Sequence, residues 1–382
     1  MVRLVKDKVK KVGNMDITFF ILVMVLLTFG LIMLFSASYA YAYYRYGGDS
    51  FRFIRKQAFF AVVGVVGMLV ISKIDYHILK KFTYWVFGIC LILLVLVLIF
   101  PAGEGGEGLN GAKRWLSLGF TTIQPSELMK FGIILLFSHL ISINYKKMGT
   151  FAYGVLPFLF FLGIVAVLML LEPHLSGTIL IFAIGLIMMF VGGTKYRYFG
   201  LALAIAILGI VAIVAIKGID YVSVRLNGWL DPFSDVQDET YQTVQSLLAI
   251  GSGGLWGLGL GQSRQKFLYL PEPANDFIFS IVCEELGFIG ASIVILLFVL
   301  FVYRGFVIAS KAPDKFGAMM VVGLTVQIGI QAMLNIAVVS NTIPNTGISL
   351  PFFSYGGTAL LLQLFQMGII LNVSRHCALD TK

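Results

Sequence analysis

Charge is what this sequence has least of. Asp, Glu, Lys and Arg make up 12% of its 382 residues, against 59% hydrophobic residues, and the mean hydropathy is +0.93. A soluble domain of that length has no interior large enough for so much apolar surface. A soluble globular fold is therefore excluded, and no room is left for a separate soluble domain. Cysteine is scarce as well. Cys90, Cys283 and Cys377 are scattered, with no CxxC and no pairing pattern, which argues against both a disulfide framework and a thiolate metal site. The four histidines are dispersed, so neither a metal-ligand cluster nor a Ser–His–Asp or Cys–His set can be assembled from one region. No internal repeat stands out, which weakens an inverted-repeat transporter.

In place of charge the sequence has apolar runs near the length that crosses a bilayer. They cover 17–37, 57–73, 82–100, 126–143, 152–171, 175–192, 198–217, 277–302, 316–340 and 355–373. The predicted fold is an all-α polytopic membrane protein of about ten transmembrane helices. It forms one integral membrane domain over 1–382, with a large extracellular loop, 218–276, between helices 7 and 8. Arg3, Lys6, Lys8, Lys10 and Lys11 precede the first run, whose apolar core is too long for a cleaved signal peptide, so it reads as an uncleaved span. The short loops 73–81, 144–148, 193–197 and 303–315 carry positive charge, which puts them and both termini in the cytoplasm. The first outer loop runs against that trend with Arg45, Arg52, Arg55 and Lys56. The net charge of +9 then reflects cytoplasmic loops rather than a nucleic-acid surface.

The remaining ionisable groups are few enough to follow singly. In 262-QSRQKFLYLPEPANDFIFSIVCEELG-287 an extended segment turns into a membrane helix, with Asp276 at the water–lipid boundary. Ser280, Glu284 and Gly287 follow Asp276 on roughly one helical face. Carboxylates in or near lipid are costly unless compensated. Two readings stay open: Asp276 serves a reaction, or it caps the helix while Glu284 and Glu285 pair with neighbouring helices. Glu127 and Lys130, at i and i+3, either satisfy each other or share an outer cavity with Arg114 and Trp115 of loop 101–125. The glycine-dense 251-GSGGLWGLGLGQSRQK-266 lacks the strand–helix context of a dinucleotide fold. Its Arg264 and Lys266 offer cations to an anionic headgroup, or to bulk phospholipid. The stretch 239-ETYQTVQSLLAIG-251 spaces Tyr241, Val244, Leu247 and Leu248 as an amphipathic interfacial helix does. Loop 341–354 is charge-free and rich in turn formers, and long loops on a helical scaffold are where function usually sits.

The segment 258-LGLGQSRQKFLYLPEPANDFIFSIVCEELGFIG-290 resembles the SEDS family, the FtsW/RodA/SpoVE proteins of bacterial cell-wall synthesis. So do 110-NGAKRWLSLG-119, 122-TIQPSELMK-130 and 343-IPNTGISLPFFSYGG-357. QSRQKFLYLPEP and the LNVSR ending resemble the FtsW/SpoVE branch more than RodA. The resemblance implies a peptidoglycan glycosyltransferase of the bacterial cytoplasmic membrane, polymerising lipid II at its outer face in division or sporulation. It implies Asp276 as the essential acid, a general base that takes the proton of the acceptor hydroxyl. Arg114, Trp115 and Lys130 match the family's functional positions, and Glu127, Arg264, Lys266 and Glu284 join them as substrate-binding candidates. Arg114 and Lys130, joined by either Arg264 or Lys266, would stabilise the leaving pyrophosphate, with a divalent cation, Mg or Mn, as the one candidate cofactor and no protein-held metal site. The implied partner is a class B penicillin-binding protein transpeptidase, docked on helices 8 and 9. A lipid II flippase, or a scaffold for division or sporulation proteins, would use the same framework. One departure stands out. Where relatives read PDLGT or PDFGT, this chain has 173-PHLSGT-178, with His174 in place of the acid. Asn275 also stands where Thr is common.

Overall fold

The computed structural model describes residues 13–100, 114–117, 119, 121–200, 228–234 and 240–377. Residues 201–217 of the expected span at 198–217, and 218–227 and 235–239 of loop 218–276, lie outside the described residues. Eight described helices are long and apolar enough to cross a membrane. Five are α1 (Ile17–Arg45), α2 (Arg52–Ile71), α3 (His77–Ile99), α4 (Pro125–Asn144) and α5 (Leu156–Leu171), the last preceded by a single turn at Phe151–Gly154. A shorter apolar helix, α6 (Leu175–Val191), follows, and then a helix of 13 residues, α7 (Tyr241–Gly253). The chain closes with α8 (Ile278–Lys311), α9 (Lys315–Val339) and α10 (Gly357–His376). The only strands among the described residues, β1 (Leu116–Ser117) and β2 (Thr122–Ile123), pair antiparallel just before α4.

Helix starts follow local rules. Asp16 caps α1, accepting from Phe19 N–H at 2.8 Å, and Asp314 caps α9, accepting from Gly317 N–H at 2.7 Å. Pro125 opens α4, where its missing N–H costs nothing. The centre of the bundle is α4, α9 and α10. In α9, 72% of the apolar window is buried inside the protein, against 28% in α3, so the central helices contact protein all round while α2 and α3 face lipid. Helices α2, α4, α6, α8 and α10 all begin at one end of the bundle, which is the end that carries the site.

The opposite end is tied by charge. Arg304 reaches Asp16 at 2.6 Å, and Tyr76 in the α2–α3 turn donates its hydroxyl to Asp314 at 2.8 Å while its N–H donates to Asn372 of α10 at 2.9 Å. This lashing leaves the site end to be shaped by loops.

Helix α8 is not one smooth rod. Gly287 has φ 65° and ψ −167°, a left-handed conformation that glycine adopts without strain. A Cβ there would stand 2.3 Å from the backbone nitrogen of Gly257. At the break the chain pairs with the glycine-dense segment instead of with itself. Leu258 N–H donates to Glu284 O and Gly259 N–H to Glu285 O, while Phe288 N–H donates to Gly254 O and Ile289 N–H to Leu255 O. The backbone groups freed by the break are thereby satisfied, as a span in lipid requires.

Candidate functional site: a polar cavity at one end of the bundle

A cavity of about 540 Å³ opens where the helix starts converge, within the size range of small-molecule sites. Asp276 stands on its wall, two residues before α8. The α8 N-cap is Phe277, and no side chain caps the helix, so the capping reading of Asp276 is corrected: its carboxylate makes no hydrogen bond among the described residues. Its backbone, by contrast, is held from several sides. Asn335 of α9, fully buried, donates to the carbonyls of Asp276 and Ile348, both at 2.7 Å. Ser354 Oγ donates to Asn275 O at 2.6 Å, and Tyr355 N–H to Ala274 O at 2.8 Å. Backbone anchored and side chain unpaired is the arrangement of a group kept for a ligand rather than for the fold.

Burial pushes the Asp276 carboxyl up to about 6; Glu272 adds to the rise and Arg114 opposes it. Arg114 donates to the carbonyl of Pro173. Burial lowers its pKa while Asp276 and Glu172 favour its charge. Trp115 follows it on the rim. On α4, Lys130 is buried, 2.8 Å from Glu127 and 3.0 Å from Gln331 Oε1. Gln331 in turn donates to Ser349 O at 3.0 Å. The i,i+3 pair and the shared cavity, posed as alternatives, therefore both hold: Glu127 and Lys130 bond each other and line the cavity with Arg114, Trp115 and Asp276.

Arg264, Lys266 and Glu284 are not brought to this cavity. Lys266 is fully buried and bonds Glu285 at 2.9 Å, the carbonyl of Gly261 at 2.7 Å and Ser36 of α1 at 3.3 Å. Glu284 accepts from Ser263 Oγ at 2.5 Å and from the N–H groups of Arg264 at 2.9 Å and Gln265 at 3.4 Å. These groups clamp the glycine-dense segment onto α8, and Arg264 is exposed outside the cavity. For Lys266 and Glu284 the expectation of contact with an anionic headgroup is corrected: a cation whose donors are spent on a buried carboxylate has none left for a ligand. The reading that the glutamates pair with neighbouring helices holds for Glu285, which accepts from Ser36 of α1, while Glu284 bonds the segment 263–265 instead.

Sequence reasoning missed Glu172, which closes α5 with 2% exposure. Neither of its carboxylate oxygens has a partner, and burial pushes it up to about 7 against the pull of Arg114. It also missed Asn335 and Gln331. The signal was available, since Gln327, Gln331 and Asn335 recur at i, i+4 and i+8 in an apolar run, on one helix face.

A bundle of membrane helices around a polar, carboxylate-bearing cavity at one membrane face defines the class: a polytopic integral membrane protein with a pocket for a polar ligand. The family is more particular. The FTSW_RODA_SPOVE model, described as cell cycle protein, matches residues 16–379, and the chain belongs to that family. Stage V sporulation protein E of Bacillus subtilis (strain 168) is 42% identical over 362 residues, covering 94% of this chain and 97% of that protein. A probable peptidoglycan glycosyltransferase FtsW of Geobacter sp. (strain M18) is 37% identical over 366 residues, covering 96% and 98%. Among solved structures, a chain from a peptidoglycan synthase complex that coordinates polymerization and crosslinking superposes with a TM-score of 0.78 at 25% identity, covering 96% of this chain and 99% of that one. The rod shape determining protein RodA of Thermus thermophilus does so with a TM-score of 0.68 at 25% identity, covering 96% and 98%.

Proposed function

We propose that the chain is a peptidoglycan glycosyltransferase that polymerises lipid II at the outer face of the bacterial cytoplasmic membrane, with both termini in the cytoplasm. The observation that carries the reading is Asp276: an unpaired, half-buried carboxylate, backbone-anchored at a helix start, in a polar cavity with Arg114 and Lys130. Such a carboxylate takes the proton of a sugar hydroxyl as that oxygen attacks the anomeric carbon of a diphosphate-linked donor. Displacement from the far side inverts the anomeric centre and requires no covalent intermediate. The departing diphosphate gathers charge that Arg114 is placed to meet. Trp115 on the rim offers a flat apolar face to a sugar or a lipid chain.

A divalent cation such as Mg or Mn would have to be held largely by the diphosphate itself, with one or two cavity carboxylates beside it. Glu127 is taken by Lys130, and among the described residues no three His, Cys, Asp or Glu side chains converge on one point. No step here uses one. The flippase alternative needs a polar path beyond the cavity. Deeper on α9, Gln327 is buried and spends its amide on Gln366 at 3.2 Å, and the cavity lining reaches Gln331 and not Gln327.

A class B penicillin-binding protein is the proposed partner. Along α8, Ile293, Leu296, Val299, Leu300 and Tyr303 are exposed, and a single apolar helix packs against such a face. Helix α9, mostly buried, contributes little, so the docking face narrows to α8. The test is polymerisation of purified lipid II by Asp276→Asn protein of normal yield, with the transpeptidase present. A loss of about 10²-fold or more is expected for a general base; retained turnover removes Asp276 from the chemistry.

A further inference from the structure

His174 and Ser126 are left unexplained by that reaction scheme. Both line the cavity. Ser126 is 2% exposed and its Oγ has no partner; His174 is 8% exposed and its Nδ1 has no partner. Buried polar atoms without partners are uncommon and costly. Two of them on one cavity wall mark a place where a ligand supplies the missing bonds.

The wall they share has one chemical character. Ser126 lies in the first turn of α4 and His174 is the N-cap of α6, helices of 20 and 17 residues packed against each other. At the α6 start the N–H groups of residues 175–177 have no acceptors within the helix; at the α4 start, where Pro125 has no N–H and Glu127 N–H donates to Gln124 O at 3.1 Å, Ser126 N–H is the one left, and both helix dipoles put partial positive charge there. Burial, helped by the nearby charges of Arg114 and Lys130, holds the His174 ring neutral, its pKa down to about 3. A neutral ring presents one N–H donor without adding a full charge. The ring is seated on Gly177, where a Cβ would stand 2.7 Å from His174 Cε1. Guanidinium, hydroxyl, imidazole and helix-start amides are a donor set for a many-oxygen anion. A carboxylate at position 174, as in the PDLGT pattern, would face that anion with like charge.

We infer that Ser126 and His174, at the adjoining starts of α4 and α6, form with Arg114 the subsite for the diphosphate of a polyprenyl-linked sugar, His174 donating through Nδ1–H. The inference rests on the glycosyltransferase reading and names the part of the cavity that holds the leaving group. Asp276 then serves the acceptor, and the reacting carbon lies between the two.

The experiment is binding of a short-chain polyprenyl diphosphate to the full chain in detergent, with the polyprenyl monophosphate, inorganic pyrophosphate and phosphatidylglycerol as separate arms. His174→Asp is expected to weaken the diphosphate by about tenfold or more, and Ser126→Ala by about threefold, in line with losing hydrogen bonds to a charged group. His174→Gln, which keeps a donor, should fall between parent and His174→Asp. The monophosphate arm should move less than the diphosphate arm, and phosphatidylglycerol should not compete. In turnover the KM for lipid II should rise in these variants more than kcat falls. Unchanged diphosphate affinity in Ser126→Ala and His174→Asp overturns the subsite. Should His174→Asp give no cooperative melt, Ser126→Ala decides, since it removes one oxygen and no charge. A parent that binds diphosphate through these residues yet never polymerises lipid II keeps the subsite and overturns the glycosyltransferase reading. A parent that polymerises with the same KM in every variant does the reverse.

Discussion

Asp276 has to satisfy two demands that pull against each other: a base must be ionised, and a base in a cavity is partly dehydrated. Burial raises its pKa to about 6, and Arg114 keeps the rise from going further. The sign of the pH dependence follows. Below about 6 the carboxyl is protonated and cannot accept the acceptor's proton; above it the carboxylate is ready. Lipid II turnover should therefore fall as pH drops through about 6, with a limb of one proton, while Asp276→Asn should show no such limb at its residual rate. A parent profile flat from pH 5 to 8 would contradict the assignment. Glu172 is a second acid in the same field, raised to about 7. Arg114, a guanidinium, stays charged in either state, whereas ionised Glu172 adds a like charge beside the diphosphate, so Glu172→Gln should raise the apparent affinity for lipid II above pH 7, where the parent residue is ionised, and change it little below. The residue scale also shows what was legible in advance. An acid at the head of an apolar run is visible in any reading of Asp276. Glu172 is not, because nothing in the letters says that the short α5–α6 connection is buried beside Arg114.

At the scale of elements, the break in α8 and the clamp around it are one device. Glu285 accepts from Ser36 Oγ at 2.7 Å, Gly261 N–H at 2.9 Å and Lys266 at 2.9 Å. It thereby joins α1, the glycine-dense segment and α8 at the depth where α8 loses its own backbone bonds. Removing one partner of a fully buried pair leaves an uncompensated charge, which costs about 3–5 kcal/mol, whereas replacing both costs far less. Lys266→Met should therefore lower the thermal midpoint in detergent sharply, and Lys266→Met with Glu285→Gln should recover part of it. If Lys266→Met melted like the parent but lost lipid II affinity, the ligand-binding reading would return. The helices themselves were readable from apolar length, and α4, α6 and α9 fall within a residue or two of their expected bounds. The clamp was not, because cations and acids in one segment look alike whether they face a ligand or each other. Which one holds depends on the segment folding back onto α8, a long-range event that spacing does not encode. The amphipathic stretch shows the same limit. Helix α7 forms as expected, but it turns Thr243, Val244, Ser246 and Ala249 inward and leaves Leu248 exposed. Ser246 bonds Ser280 at 2.8 Å and the carbonyl of Val339 at 2.7 Å, so small polar contacts with α8 and α9, rather than apolar area, set the face it buries.

For the molecule as a whole, the direction in which the cavity faces decides whether any of this chemistry can meet its substrate. Lys80, Lys81, Lys146, Lys147, Lys195, Lys311 and Lys315 gather at the end opposite the cavity, and such positive loops stay on the cytoplasmic side. The α1–α2 connection carries cations at the cavity end, against that rule, and the structure shows how their charge is met. Arg55 pairs with Asp49, and Arg52 lies over the Tyr46 ring at 4.2 Å. Only Lys56 reaches the cavity lining among these basic residues. The bias of the remaining loops supports the proposed orientation, with the cavity outside. Single cysteines test it in a chain whose Cys377 is replaced by Ser, since Cys90 and Cys283 are buried. An impermeant thiol reagent on intact cells should label Leu230→Cys, exposed beyond the cavity end, and leave Lys146→Cys unlabelled until the membrane is opened. The reverse pattern would turn Asp276 towards the cytoplasm. A carboxylate there could not serve a lipid-linked acceptor presented at the outer leaflet, and with it would go the polymerisation reading and the diphosphate subsite built on it.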